Sequence, residues 1–217
     1  MSTYRLHYCP ESGNSYKLAL LLALRSQPWE PVWTDYMGGQ TRSLEWRASV
    51  NEMGEIPVLE VDGKHFTQTG AILIGFAERH GWFGWDTEAE QFEVLRWLLW
   101  DNHKLTSYLA TYRFLHAFTT NPNPDVLAFF RGRVDTALAI AERHFERLPF
   151  AAGARATIAD ISMCAYLSYP AEETGYDFQV SHPAIAGWLE RIAQLPGWRA
   201  PYDLLPGPRF AAQTKSA

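Results

Sequence analysis

Glu55-Ile56-Pro57-Val58-Leu59-Glu60-Val61-Asp62-Gly63-Lys64-His65-Phe66-Thr67-Gln68-Thr69-Gly70-Ala71-Ile72 reads as a strand, a turn, a returning strand and the first turn of a helix. Pro57 cannot donate to a sheet ladder, so it belongs at the first residue or the edge of a strand, where the cis isomer is also open to it. Asp62-Gly63 supplies hairpin turn residues. Gln68-Thr69, at the helix start, offers amide, hydroxyl and unpaired backbone N–H groups to an anion. Within one hairpin the chain carries an extended backbone edge and a carboxylate cradle, a combination that suits a small peptide-like ligand.

Working outward, the first eighty or so residues alternate strand and helix. Tyr4–Cys9 and Trp29–Thr34 read as strands, and Ser15–Leu24 carries a helical pattern through Leu18, Leu21 and Leu22. Ser43–Val50 reads as a short helix, Val58–Val61 and His65–Thr67 as the hairpin, and Ala71–His80 as a third helix. The order βαβαββα predicts helices covering a small four-stranded sheet. Beyond the Gly81-Trp82-Phe83-Gly84-Trp85 break the strand signal stops. One long helix is expected over Glu88–Ala117, ended by Asn121-Pro122-Asn123-Pro124. Others follow over Pro124–Leu148, Thr157–Tyr169 and Pro183–Leu195, then an irregular tail after Pro196. The division expected is an α/β domain over 1–81, a linker over 82–87 and an all-helical domain over 88–217.

Composition narrows the function classes. The chain has 217 residues, 47% of them hydrophobic, enough for a full core. A net charge of −5 argues against nucleic acid as a partner, which needs a basic surface. Nine tryptophans point to aromatic packing or an apolar pocket. Cys9 and Cys164, the two cysteines, give no disulfide framework, and no histidine pair has metal-ligand spacing, so no metal is expected. With no membrane-length apolar run and a strand already begun by Tyr4, the expectation is a cytoplasmic protein without membrane attachment.

The chain resembles the soluble glutathione transferases. Four segments carry the likeness: Ser12-Gly13-Asn14-Ser15-Tyr16-Lys17, Glu55-Ile56-Pro57-Val58-Leu59, Gln68-Thr69-Gly70-Ala71-Ile72 and Thr157-Ile158-Ala159-Asp160. Each is weak alone; their order and spacing are specific. The resemblance implies a thioredoxin-like glutathione-binding domain, a helical domain shaping an electrophile pocket, and a homodimer. It further implies that Pro57 is the family's cis-proline, with the backbone of Ile56 pairing with the cysteinyl part of glutathione. Gln68-Thr69 would hold the γ-glutamyl end and Gln40 the glycyl carboxylate, with Thr41 and Arg42 as alternatives. Tyr108 and Tyr112 would line the pocket. Glu55 is counted with Gln40, Ile56, Pro57, Gln68 and Thr69 among the glutathione-binding positions, although it stands where many members carry lysine and a negative charge there opposes an anionic ligand. Thr157 and Asp160, at capping-box spacing, are expected to be a folding element.

Such an enzyme must hold glutathione as thiolate at neutral pH. A free thiol has a pKa of about 8.5, so it must be lowered by about two units, roughly 2.7 kcal/mol. A neutral hydroxyl donor at the start of a helix supplies this without a permanent charge. Ser12 matches the serine of several classes of the family, and Asn14 an asparagine of some bacterial ones. Tyr8 and Cys9 are the rivals. The expected activity is transfer of glutathione to a small electrophile. The alternatives are glutathione-dependent reduction of disulfides or peroxides, and a non-catalytic binding or scaffold module.

Overall fold

The computed structural model describes residues 3–210. Residues 1, 2 and 211–217, assigned above to the ends of the two domains, lie outside the described residues. The chain packs as two units, one of Met1–Trp82 with Leu195–Arg209 and one of Phe83–Gln194 with Phe210–Ala217.

The first unit is thioredoxin-like and runs β1 (Tyr4–Tyr8), α1 (Gly13–Leu24), β2 (Trp29–Trp33), a 3-10 turn (Gln40–Arg42), α2 (Leu44–Ser49), β3 (Val58–Val61), β4 (Lys64–Phe66) and α3 (Thr69–His80). The sheet order is β2-β1-β3-β4, with β1 and β2 parallel and the other pairs antiparallel. A parallel pair needs a crossover, and α1 is that crossover.

Side-chain alternation sorts the two faces of the sheet. Tyr4, Leu6 and Tyr8 share a face with Leu59 and Val61, which pair with Leu6 and Tyr4. Leu6 and Leu59 are fully buried there, together with Leu18, Leu20, Leu21 and Leu22 of α1 and Leu73 of α3. The ring of Phe76 in α3 lies 5.9 Å from that of Tyr4. Arg5, His7, Glu60 and His65 fall on the other face by the same registers. Trp46 of α2 sets its ring edge-on to His7 there, centroids 5.5 Å apart.

Leu195–Arg209, which the sequence assigns to the helical half, belongs with the first unit. Two buried tyrosines explain why. Tyr16 donates its hydroxyl to the Arg199 carbonyl at 2.7 Å, and Tyr8 donates to that of Pro206. Gly197 has φ +90°, and a Cβ on it would stand 2.4 Å from the Ala23 carbonyl oxygen, so only glycine fits there.

The second unit is all helical: α4 (Glu88–Trp100), a π turn (Asp101–Leu105), α5 (Thr106–Phe118), α6 (Pro124–Phe145), α7 (Ile158–Leu167), α8 (Ala171–Thr174), α9 (Phe178–Ser181) and α10 (Pro183–Ala193). A further short helix, α11 (Pro201–Leu204), lies in the tail. The single helix expected over Glu88–Ala117 is interrupted by the π turn. Thr106 Oγ1 donates to Asp101 Oδ1 at 2.9 Å and Ser107 Oγ to the Asn102 carbonyl at 2.5 Å, both across five residues. The capping box at the start of α7 is present.

Candidate functional site

Sheet topology gathers most of the candidate residues at one end of the first unit. Because β1 and β3 are antiparallel, the turn that follows Tyr8 lies beside the segment that precedes Val58. Because β3 and β4 are antiparallel, the chain leaves Phe66 at that same end and starts α3. Ser12, Ile56-Pro57 and Gln68-Thr69 therefore share one rim of the sheet.

Ser12 is the N-cap of α1, with extended backbone (φ −81°, ψ 106°). Its Oγ accepts from the Ser15 N–H at 3.1 Å, and its own N–H donates to the Cys9 carbonyl at 3.1 Å. A hydroxyl can accept and donate at once. The Ser12 proton has no acceptor among the described residues, and the side chain is half-buried. The N–H groups of Gly13 and Asn14 belong to the first turn, which has no intrahelical acceptors, and the helix dipole is positive there. Asn14 is half-buried, and its Oδ1 has no partner among the described residues.

The rivals are otherwise engaged. Tyr8 is buried with its hydroxyl donated to Pro206, and burial first, then Cys9, push the phenol above its ordinary pKa. Cys9 is buried beneath the turn.

The loop before β3 is clamped by Asn51, a buried residue that the sequence reading passes over. Its Oδ1 accepts from the Met53 N–H at 3.0 Å and its Nδ2 donates to the Glu55 carbonyl at 2.9 Å. The legible part of this was an asparagine at the first position of a turn, the Asx pattern that gives its bond to the Met53 N–H. Beyond the clamp the Ile56–Pro57 bond is cis. Ile56 is half-buried, and neither its N–H nor its C=O has a partner among the described residues.

Gln68 has φ 63° and ψ 98°, positive φ in a non-glycine residue. Such a conformation costs about 1–3 kcal/mol and collects at binding sites. No side chain caps the N-terminus of α3, which opens at the buried Thr69. The first N–H groups of α3 thus stay open to an anion. Gln68 Nε2 donates to Glu55 Oε2 at 3.1 Å and to Met53 Sδ at 3.2 Å. With its NH2 group committed, Gln68 presents Oε1, an acceptor suited to an ammonium group. Glu55 therefore orients Gln68, a role that its position in the sequence did not reveal.

Gln40 is exposed and its Oε1 accepts from the Asp35 N–H at 2.8 Å, which closes the loop before the 3-10 turn. Its carbonyl oxygen is thus structural, and the neighbouring Thr41 is buried with Oγ1 lacking a partner among the described residues. In the second unit, Tyr112 is buried, accepts from Arg131 Nη1 at 3.0 Å and stacks on His116. Its ring and hydroxyl are both used in packing. Tyr108 is half-buried, with Lys104 Nζ 5.8 Å from its ring centroid.

Residues 107–196 match the family model described as glutathione S-transferase, C-terminal domain. A glutathione S-transferase structure from Xanthobacter autotrophicus Py2 is 31% identical, covering 93% of this chain and 98% of that one, with a TM-score of 0.80. One from Pseudomonas fluorescens Pf-5 is 30% identical over 92% of this chain and 99% of that one, also with a TM-score of 0.80. The disulfide-bond oxidoreductase YfcG of Escherichia coli K12 is 28% identical over 88% of this chain and 90% of its own length.

Proposed function

The chain belongs to the glutathione S-transferase family, and on that premise we propose that it binds glutathione at the rim of its sheet and delivers the thiolate to a small electrophile. In this reading the N–H and C=O of Ile56 pair with the cysteinyl backbone. The γ-glutamyl carboxylate sits on the open N-terminus of α3 with the Thr69 hydroxyl, and its ammonium faces Gln68 Oε1. The glycyl carboxylate lies towards Gln40 and Thr41. Tyr108 is the candidate contact for the electrophile. The protein works as a homodimer.

The observation that carries the proposal is the Ser12 hydroxyl, which caps α1 through its oxygen and keeps its proton available. A donor to sulfur favours the charged form, and the start of a helix adds to it. The thiol proton leaves to solvent, and the thiolate attacks an electrophilic carbon. A C–S bond forms, and the leaving group departs with the bonding pair. Holding both reactants together supplies the rest of the rate.

Reduction of a glutathione-linked disulfide is the second reading, favoured by the likeness to the oxidoreductase. It uses the same thiolate on sulfur instead of carbon. Rates on a chloronitrobenzene and on a hydroxyethyl disulfide separate the two, with the transferase reading expecting the aryl halide to be the faster substrate. Faster disulfide turnover favours the second reading. Calorimetry showing no heat with millimolar glutathione would sink both and leave a binding or scaffold module.

A further inference from the structure

Strand register brings together three metal-ligating side chains that lie far apart in the sequence. His7 on β1, Glu60 on β3 and His65 on β4 share the sheet face opposite Tyr8, and one ligand atom from each lies within 4.8 Å of the others. Glu60 Oε2 is 4.0 Å from His7 Nε2 and 3.8 Å from His65 Nε2. The two imidazoles meet at 90°, centroids 5.9 Å apart.

His7 makes this more than a chance grouping. It is only 8% exposed, yet neither ring nitrogen has a hydrogen-bond partner among the described residues. Buried polar groups are nearly always satisfied, so an imidazole left this way calls for a ligand. Trp46 holds the ring edge-on and fixes its orientation.

We propose that His7 Nε2, His65 Nε2 and a Glu60 carboxylate oxygen bind one borderline divalent cation, with zinc as the type. Two imidazoles and one carboxylate are a zinc donor set, with a fourth position left to water. Metal–ligand bonds of about 2.1 Å in a tetrahedron put ligand atoms about 3.4 Å apart. The two separations from Glu60, 4.0 and 3.8 Å, exceed that by about half an ångström, which small rotations of the Glu60 and exposed His65 side chains supply. Burial holds the His7 imidazole below its ordinary pKa, helped by His65 and Arg5 and opposed by Glu60. Neutral imidazole is the ligating form.

Arg5 is the competitor. Its Nη1 donates to Glu60 Oε2 at 2.8 Å, while its Nε lies 3.2 Å from Glu30 Oε2. A cation on Glu60 would leave Arg5 to Glu30. Bound across β1, β3 and β4, it would tie three strands together and raise the melting temperature by linkage.

The test uses the full chain, stripped with EDTA, desalted and titrated with zinc against a chromophoric chelator. The expected result is one zinc per chain with Kd on the order of 1 μM. His65→Ala and Glu60→Gln should each weaken binding by at least about tenfold. Arg5→Gln, which removes a competing cation, should tighten it by about tenfold. Circular dichroism checks that each variant is folded, and His65 is exposed enough to be replaced safely. X-ray absorption on the loaded protein should show nitrogen and oxygen donors with imidazole scattering. No binding at tens of micromolar zinc, equal binding by His65→Ala, or sulfur ligation overturns the proposal.

Discussion

Ser12 uses its two hydrogen-bonding capacities in two directions, the oxygen inward to α1 and the proton outward. Its candidacy was legible because a serine between the first strand and the first helix can serve as both cap and donor. Gln68-Thr69 and Pro57 were legible for the same reason, since each carries a local backbone consequence. The Asn51 bond to the Glu55 carbonyl, the Glu55–Gln68 pair and the clasp by Gln40 were not, because each depends on a side chain folding back across a loop. The contacts of Tyr112 with Arg131 and His116 were not legible either, because helical spacing does not tell which neighbour a side chain meets. Thr69→Val, nearly isosteric, should weaken glutathione binding by about tenfold or more, since a hydrogen bond to a charged group is worth about 1.5–3 kcal/mol. Calorimetry measures this, and the melting temperature should change little.

At the scale of elements, helices and strands were readable from periodicity, whereas the π turn after α4 and the short helices α8, α9 and α11 were not. The π turn is made by a buried carboxylate, Asp101, that bonds to Thr106 and, at 2.5 Å, to Ser162 in α7. Only tertiary structure supplies Ser162. The capping box of α7 was legible, but its reach was not. Asp160 accepts from Ala151 N–H, Thr157 N–H, Thr157 Oγ1 and Trp188 Nε1 at 2.8, 2.9, 3.0 and 3.0 Å. Asp160→Ala leaves four buried donors unpaired, a loss of about 3–5 kcal/mol. Thermal melts should show a drop of about 10 °C.

His144 gives α6 a pH response. It is buried with Nε2 3.0 Å from the Ala151 carbonyl and its ring centroid 4.3 Å from that of Trp97. Burial holds its pKa below the ordinary value, against hydrogen bonds to Ala151 and Phe150 that raise it. The unfolded chain, with a histidine pKa of about 6.5, therefore takes up the proton first as pH falls. This contribution to stability is full above that pH and is lost as pH drops through the depressed native value. Urea midpoints should fall on acidification, and His144→Gln should flatten the fall.

For the whole molecule, the thioredoxin-like and helical halves were legible from where the strand signal stops, but the return of Leu195–Arg209 to the first unit was not. Carbonyls that satisfy tyrosine hydroxyls leave no mark in a sequence. Ending the chain after Gln194 strips Tyr8 and Tyr16 of their acceptors and uncovers apolar surface under Leu204 and Leu205, both buried. The shortened chain should melt well below the full one or fail to fold, followed by circular dichroism. The homodimer proposed here should sediment at twice the chain mass. Phe92 and Leu99 of α4, 66% and 65% exposed, are apolar side chains that such a partner would cover. Phe92→Glu with Leu99→Arg should then shift the equilibrium to monomer.

The most direct measurement is the pH titration of thiolate absorbance for glutathione bound to the wild type and to Ser12→Ala. In the wild type the bound thiol should have a pKa about two units below that of free glutathione, and in the variant it should return towards the free value. Identical titrations for the two proteins would contradict the role of Ser12.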